Sequence, residues 1–519
     1  MHRPATEKRV RIAAARWWPL AGVTVLALVL ALAGVVPAWP GLTHAVALPP
    51  LDLAMDLRVL VARAPGYGPF ALGAAVSLIV RTVMLGALFV TLGVTPSPWT
   101  AFGYAARLYA AALVPVAVGA AFGFAGLASL YAWYAWFGLA LTVGVALTLS
   151  VRRLARPGAR LRRLPLVVGY LLLLMAIGAL GRVGPWMVPV AVVLSAVLTG
   201  AALSRLVAPT AVHRRDPLAP KTKTAVATGF LLAAALLVPP AGAQAPVGAE
   251  ASLFIVPGVD TATGDGAAFR IDPAALGFPC ERVFYFSYRG PDGDAPQGEA
   301  PCPIRLHRPY AARATQEPIG QLVDAFDAQL VAIRQETGGA PIVVVTHSQG
   351  AVIAWRAAAR GRAEGVVALV ALAGFPHSPV GYPLPRVDGP GRIGADALRV
   401  TSWFSRVLGF GTFDPDEPLA RETLARANGL EEVFAEPLPP ETAGVLLFAS
   451  ADAIVAPEGR DMPGATSLDI AATHVGITGS VAAEAAIRSI FSGGRPAQDR
   501  VIAPLLSAIL PAFMPPHAE

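Results

Sequence analysis

Hydrophobic positions change texture once along this chain. Up to about residue 240 they come as long unbroken runs, and seven reach or approach the ~20 apolar residues that a bilayer core requires. These are Trp18 to Ala38, Ala71 to Val94, Tyr109 to Leu130, Trp133 to Val151, Leu166 to Leu180, Pro185 to Leu206 and Ala225 to Val238. Each predicts a transmembrane helix, the fifth and seventh being short. From Pro246 onward short β-branched runs alternate with stretches of helical periodicity. Ser252 to Val256 predicts a strand closed by Pro257 and Gly258, and Arg282 to Tyr288 predicts the next. Ile319, Leu322, Val323, Phe326, Leu330 and Ile333 mark one face of a helix that ends near Thr337. Pro341 to Val345 predicts a continuous apolar strand of the kind buried on both faces of a parallel sheet, and Val366 to Leu372 and Val445 to Ala449 are further apolar runs.

This pattern predicts an N-terminal α-helical transmembrane domain of about seven helices, followed by an α/β domain whose mostly parallel sheet is flanked by helices. The expected boundaries are a basic N-terminus at 1–17, a multi-pass region at 18–240, a linker or cleavage site at 241–250, an α/β domain at 251–495 with an insertion at 374–440, and a tail at 496–519. The apolar stretch Val501 to Met514 is broken by prolines, which favours packing over a further crossing.

Charge refines the membrane reading. Residues 1–245 hold 21 Lys+Arg against 4 Asp+Glu, whereas residues 246–519 hold 20 against 30. The basic residues of the first half cluster in loops: Arg3 to Arg16, Arg152 to Arg163, and Arg214 to Lys223. With seven crossings all three clusters share one side, which the positive-inside rule makes cytoplasmic, so the second half is expected outside the cytoplasm of a bacterial-type cell. Basic residues dispersed this way do not form a nucleic-acid patch. The seventh run is also readable as a secretory signal cleaved near Ala243, which would free the second half instead of tethering it. Tyr131, Trp133, Tyr134 and Trp136 suit an interfacial belt. The acids of the first half, Glu7, Asp52, Asp56 and Asp216, lie outside the predicted spans, which disfavours ordinary coupled transport. Arg81 lies inside one; it is either a functional group or a side chain that snorkels to the interface.

The chemistry-bearing segment is Thr346, His347, Ser348, Gln349, Gly350, set between a strand and the helix-forming Ala351 to Ala359. A serine is a useful nucleophile only with a base to take its proton and donors to hold the oxyanion. A strand-to-helix turn projects the hydroxyl outward and aims the Gln349 amide at the forming charge, and Gly350 leaves room for the turn. Three histidines follow Ser348: His377, His474 and His517. Asp452 stands where the strand ending at Ala449 opens into a loop.

Residues 252 to about 492 resemble the α/β-hydrolase superfamily, particularly its bacterial esterases and lipases, with Thr346 in place of the first glycine of G-x-S-x-G. The family order of serine, acid and histidine excludes His377, which comes too early, and His517 lies in a Pro-rich tail. The resemblance therefore implies Ser348 as nucleophile, Asp452 as acid and His474 as base, with oxyanion donors from Gln349 and from Val259 after the first strand. It implies no metal and no cofactor; His307 and Arg308 lack a complementary ligand set. The expected activity is hydrolysis of carboxylic esters, lipids among them, at the bilayer. Acyl transfer would use the same triad, and a catalytically silent sensor or binding module signalling through the helices is the reading from another class. Trp403, Phe404, Val407, Leu408, Phe410 and Phe413 in the insertion either line an acyl pocket or pack a small core of their own. Cys280 and Cys302, the only cysteines, are expected to pair in an oxidising compartment.

Overall fold

The computed structural model describes residues 5–37, 47–49, 51–91, 97–129, 185–207, 250–374, 384–425, 429–452 and 464–494, with isolated positions between 166 and 177 and at 462, 502, 503 and 506. The chain divides into two compact units, residues 1–123 with 136–220, and residues 124–135 with 221–519. The fourth and seventh apolar runs, most of the fifth, the two internal basic clusters, the aromatic group from Tyr131 to Trp136, Ala243, His377 and His517 lie outside the described residues.

The first unit contains α1 (Ala5–Leu32), α2 (Leu51–Arg63), α3 (Tyr67–Thr91), α4 (Pro98–Ser129) up to Gly123, and α5 (Val188–Val207). Among the described residues two segments, Tyr67–Thr91 and Pro98–Ala121, are long and apolar enough to cross a membrane, in place of the seven expected. The apolar stretches Trp18–Leu32 and Val188–Leu203 fall short of that length. After α1 the chain turns at Gly34, whose φ is 71°.

Helix α2 has no counterpart among the expected elements, because two aspartates and an arginine interrupt its apolar positions. Those aspartates nevertheless point inward. Arg81 of α3 donates from Nε and Nη2 to the two carboxylate oxygens of Asp56, each at 2.9 Å, and the Ser77 hydroxyl donates to the same carboxylate. Asp52 accepts from the Leu53 amide at 2.8 Å and from the Tyr109 hydroxyl of α4. Arg81 is 4% exposed and Asp56 is fully buried, so of the readings open in the sequence Arg81 does not snorkel; it belongs to a buried ion pair. Removing one partner strands a charge in an apolar interior. Arg81→Leu is accordingly expected to destabilise the first unit by about 3–5 kcal/mol, read as a lower melting temperature of the detergent-solubilised chain, and Asp56→Asn in the same background recovers part of the loss. A melting temperature that Arg81→Leu leaves in place would refute the pairing.

The second unit is built on a six-stranded, wholly parallel sheet in the order β2-β1-β3-β4-β5-β6. The strands are β1 (Ser252–Val256), β2 (Val283–Tyr285), β3 (Ile342–His347), β4 (Val366–Leu372), β5 (Ala443–Ala449) and β6 (Ala465–Ile470). The main helices are α6 (Ile319–Glu336), α7 (Gln349–Ala359), α8 (Arg392–Val407) and α9 (Val481–Phe491). The parallel sheet with flanking helices agrees with the α/β class read from the sequence. Val343, Val344 and Val345 of β3 are fully buried, as a central strand covered on both faces requires. α6 and α7 pack against each other, and Trp355 of α7 is pinned by an Nε1–H bond to the Glu436 carbonyl at 2.9 Å.

Two elements depart from the expected ones. β2 ends at Tyr285 because the Ser287 amide turns away to the Gln329 side chain at 2.8 Å. β6 carries no apolar run; it is an edge strand with only Leu468 and Ile470 buried, which is why its sequence does not announce it. Cys280 and Cys302 form a disulfide, with Cα atoms 5.3 Å apart.

From β1 the chain passes to β2 on one side and then to β3 on the other, so the winding direction reverses between β1 and β3. A crevice opens outside the carboxyl ends of strands at such a point. The segment after Val256 and the turn at Ser348 lie there side by side, since Val256 pairs with Thr346.

Candidate active site

Ser348 occupies the turn between β3 and α7 with φ 54° and ψ −124°, a conformation that a non-glycine residue adopts only where its surroundings enforce it. Three contacts enforce it. The Ser348 amide donates to the Leu372 carbonyl at the end of β4 (2.9 Å), Thr346 remains a regular strand residue, and Gly350 lets α7 start hard against β1. A Cβ on Gly350 would stand 2.6 Å from the Val256 carbonyl oxygen and 2.9 Å from that of Pro257. Gly258 is similarly confined: a Cβ there would meet the Ser348 Cβ at 3.0 Å and the His347 carbonyl oxygen at 3.1 Å. Thr346 needs no such room, and its hydroxyl donates to the Val370 carbonyl at 3.3 Å. The second glycine of the motif is therefore a steric necessity here, and the first is not.

Gly350→Ala tests this directly. Its methyl would collide with two backbone carbonyls that have no flexible end to yield, so a destabilisation of about 1–3 kcal/mol is expected. A wild-type melting temperature in Gly350→Ala would contradict the packing described.

The three residues singled out in the sequence meet at this turn. The Ser348 hydroxyl donates to Nε2 of His474 at 2.9 Å, and Nδ1–H of His474 donates to Oδ2 of Asp452 at 2.6 Å. Ser348, His474 and Asp452 are 6%, 2% and 3% exposed. Asp452 is held by its amide bond to the Ala449 carbonyl (3.0 Å), just past the end of β5. His474 follows β6 in a loop tied to its neighbours by the bond from the Ile477 amide to the Thr473 carbonyl at 3.1 Å. Three different strand ends thus deliver one chain of hydrogen bonds.

The residues expected to hold an oxyanion also border the turn. Gln349 begins α7, so its amide has no acceptor within the helix, and no acceptor among the described residues takes up the Val259 amide. Each is steadied by Thr315, in the short 3-10 turn Ala312–Gln316. The Thr315 carbonyl accepts from Nε2 of Gln349 at 2.7 Å, and its hydroxyl oxygen accepts from the amide of Asp260, the residue after Val259, at 3.1 Å. Gln316 next to it clasps the insertion, donating to the Thr412 carbonyl (3.0 Å) and accepting from the Asp414 amide (2.7 Å). Asp260, at φ 63°, accepts from the Thr412 amide at 2.7 Å and from its hydroxyl. Burial raises the Asp260 carboxyl above its usual range.

Sequence reasoning passed over Thr315, Gln316 and Asp260, whose partners lie 34 to 152 residues away in the chain. It also passed over His347, for which there was a signal: a polar residue closing an otherwise apolar strand. His307 is a core histidine, donating through Nδ1 to the Tyr285 carbonyl at 3.0 Å, and burial pushes its imidazole down to about 4.

Of the six insertion side chains, Phe413 alone packs a small core of the insertion's own. Phe413 packs with Ala395, Leu398 and Ala420 in a small cluster against which Val259 rests. Trp403, Phe404, Val407, Leu408 and Phe410 are exposed, on α8 and just beyond it. The opposite face of α8 is buried through Ala395, Leu398, Ser402 and Ser405, while Arg399, bonded to Asp396 and Asp416, and Arg392, bonded to Asp396, lie on the same side as Trp403.

An ordered serine, imidazole and carboxylate with two unclaimed amides beside the serine can accept a proton, form a bond to an electrophilic carbon and steady the resulting oxyanion. No family model matches the chain, and no curated protein matches it. Among solved structures, lipase B of Aspergillus fumigatus is similar to it at a distance, with 15% sequence identity and a TM-score of 0.27 over 59% of this chain and 72% of that one.

Proposed function

We propose that the second unit is an α/β-hydrolase domain acting as a serine esterase or lipase, held at a membrane by the first. The observation that carries this reading is the unbroken hydrogen-bond chain from Ser348 through His474 to Asp452 at the carboxyl ends of a parallel sheet. In the proposed cycle Nε2 of His474 takes the Ser348 proton as Oγ attacks the ester carbonyl carbon. The Gln349 and Val259 amides hold the oxyanion, and Asp452 balances the imidazolium. His474 then protonates the departing alcohol; a water molecule, deprotonated by the same nitrogen, attacks the acyl-serine carbonyl, and His474 returns that proton to Ser348 Oγ as the carboxylic acid leaves. A silent sensor domain would have no need to keep all three groups buried and in register.

Two crossing-length helices support membrane attachment, and the Cys280–Cys302 disulfide supports an oxidising, extracytoplasmic compartment. The exposed apolar residues of α8 favour esters presented at a lipid surface over freely dissolved ones. The test is hydrolysis of p-nitrophenyl esters of graded chain length by the full chain in detergent, beside Ser348→Ala. Turnover that the variant retains would overturn the assignment, and a wild-type chain without turnover would favour the sensor.

A further inference from the structure

The residue before the candidate nucleophile is itself a histidine, and it does not belong to the triad. His347 closes β3 with its imidazole buried, 5% exposed. Its Nε2 lies 3.0 Å from the carbonyl oxygen of His474. A carbonyl only accepts, so Nε2 carries the hydrogen and donates it. The other nitrogen, Nδ1, is buried without a hydrogen-bond partner among the described residues and faces the oxyanion side of the turn, where a Cβ on Gly258 would stand 3.4 Å from it. A doubly protonated ring would leave an N–H there with no acceptor, so His347 is a neutral, Nε2-protonated imidazole. Burial, and the nearness of His474 with ring centroids 5.0 Å apart, push it down to about 3, so it stays neutral through the range in which ester hydrolysis is measured.

What this bond does follows from where His474 sits. Its imidazole is fixed at both ends, by Ser348 and Asp452, yet its main chain belongs to a loop between β6 and the 3-10 turn Gly476–Gly479. A general base must exchange a proton first with the serine and then with the leaving group, and its backbone must hold still while the ring does so. His347 ties that backbone to the strand that carries the nucleophile.

We infer that His347 is a positioning residue: its Nε2–H bond to the His474 carbonyl locks the base's loop to the end of β3, so that nucleophile and base move as one body. The inference rests on the proposed role of Ser348. It assigns a specific hydrogen bond, and two isosteres distinguish that bond from mere packing. The amide nitrogen of Gln reaches the place of Nε2, whereas that of Asn reaches only the place of Nδ1; Phe fills the volume and donates nothing.

The experiment compares His347→Gln, His347→Asn and His347→Phe with wild type and Ser348→Ala, all as full chains in detergent, by steady-state ester hydrolysis, fluorophosphonate labelling and thermal melting. His347→Gln should keep kcat within about fivefold, while His347→Asn and His347→Phe lose about 100-fold in kcat with KM changed less than about twofold, the pattern of a misplaced base and not of a lost binding contact. Wild-type kcat in His347→Phe, equal losses in the Gln and Asn variants, or a loss carried by KM would overturn the inference. Should His347→Phe fail to fold, the Gln and Asn pair decides. Ser348-dependent labelling together with an indifferent His347 overturns this inference alone; labelling that persists in Ser348→Ala overturns the nucleophile assignment and this inference with it.

Discussion

Replacing Ser348 by alanine is expected to lower kcat for an activated ester by about 10⁶-fold while leaving the fold in place. The size of the effect comes from what is left behind. His474 and Asp452 would remain bonded to each other, and the Gln349 and Val259 amides would still face the crevice, but no oxygen would stand within reach of both base and substrate. Oxyanion donors alone retain about 10³–10⁴ of catalysis over water, so the variant should keep a faint, serine-independent rate and lose all acyl-enzyme. Alanine also preserves the backbone of the turn, whose geometry is set by the Leu372 carbonyl and by Gly350 and not by the hydroxyl. Its cost in stability is one hydrogen bond, about 1 kcal/mol. A measured loss below about tenfold, with melting unchanged, would mean that another group is the nucleophile.

Asp452→Asn is expected to lower kcat by about 10⁴-fold, an effect that operates through a tautomer. The carboxylate accepts the Nδ1–H of His474 and thereby leaves Nε2 bare to receive the Ser348 proton. An asparagine that turns its amide toward the ring donates instead, which moves the ring hydrogen to Nε2 and sets it against the Ser348 hydroxyl. The packing is nearly isosteric and Asp452 is buried, so the melting temperature should fall little in comparison with kcat. Steady-state kinetics beside a thermal melt separates the two readouts. A variant that loses stability and activity in proportion would make Asp452 a structural carboxylate only.

Much of the second unit was legible in residue order. β1, β3, β4 and β5 are runs of apolar side chains bounded by turn formers, and α6 has an unbroken amphipathic face. The pattern failed where burial was one-sided or the partner was remote. β6 is half exposed and so lacks a run, and β2 stops early because of a glutamine on α6. Apolar length predicted seven crossings, and among the described residues two segments qualify, since run length is blind to whether the residues around a run continue its helix. The same blindness set Asp52 and Asp56 aside as loop acids. They are buried because α3 and α4 bring Arg81, Ser77 and Tyr109 to them, a fact about packing that no local window contains.

By itself, residue order determined the parallel α/β sheet and the serine at a strand-to-helix turn, because periodicity and turn formers are local properties of a chain; Asp452 and His474 were singled out by the resemblance to the α/β-hydrolase order. Tertiary structure alone decided that Ser348, His474 and Asp452 touch, that Thr315 bonds both the Gln349 side chain and the Asp260 amide, and that His347 reaches the His474 carbonyl. Each of those contacts closes a long loop of chain, and whether two such distant groups fall within hydrogen-bond reach depends on how every intervening element packs.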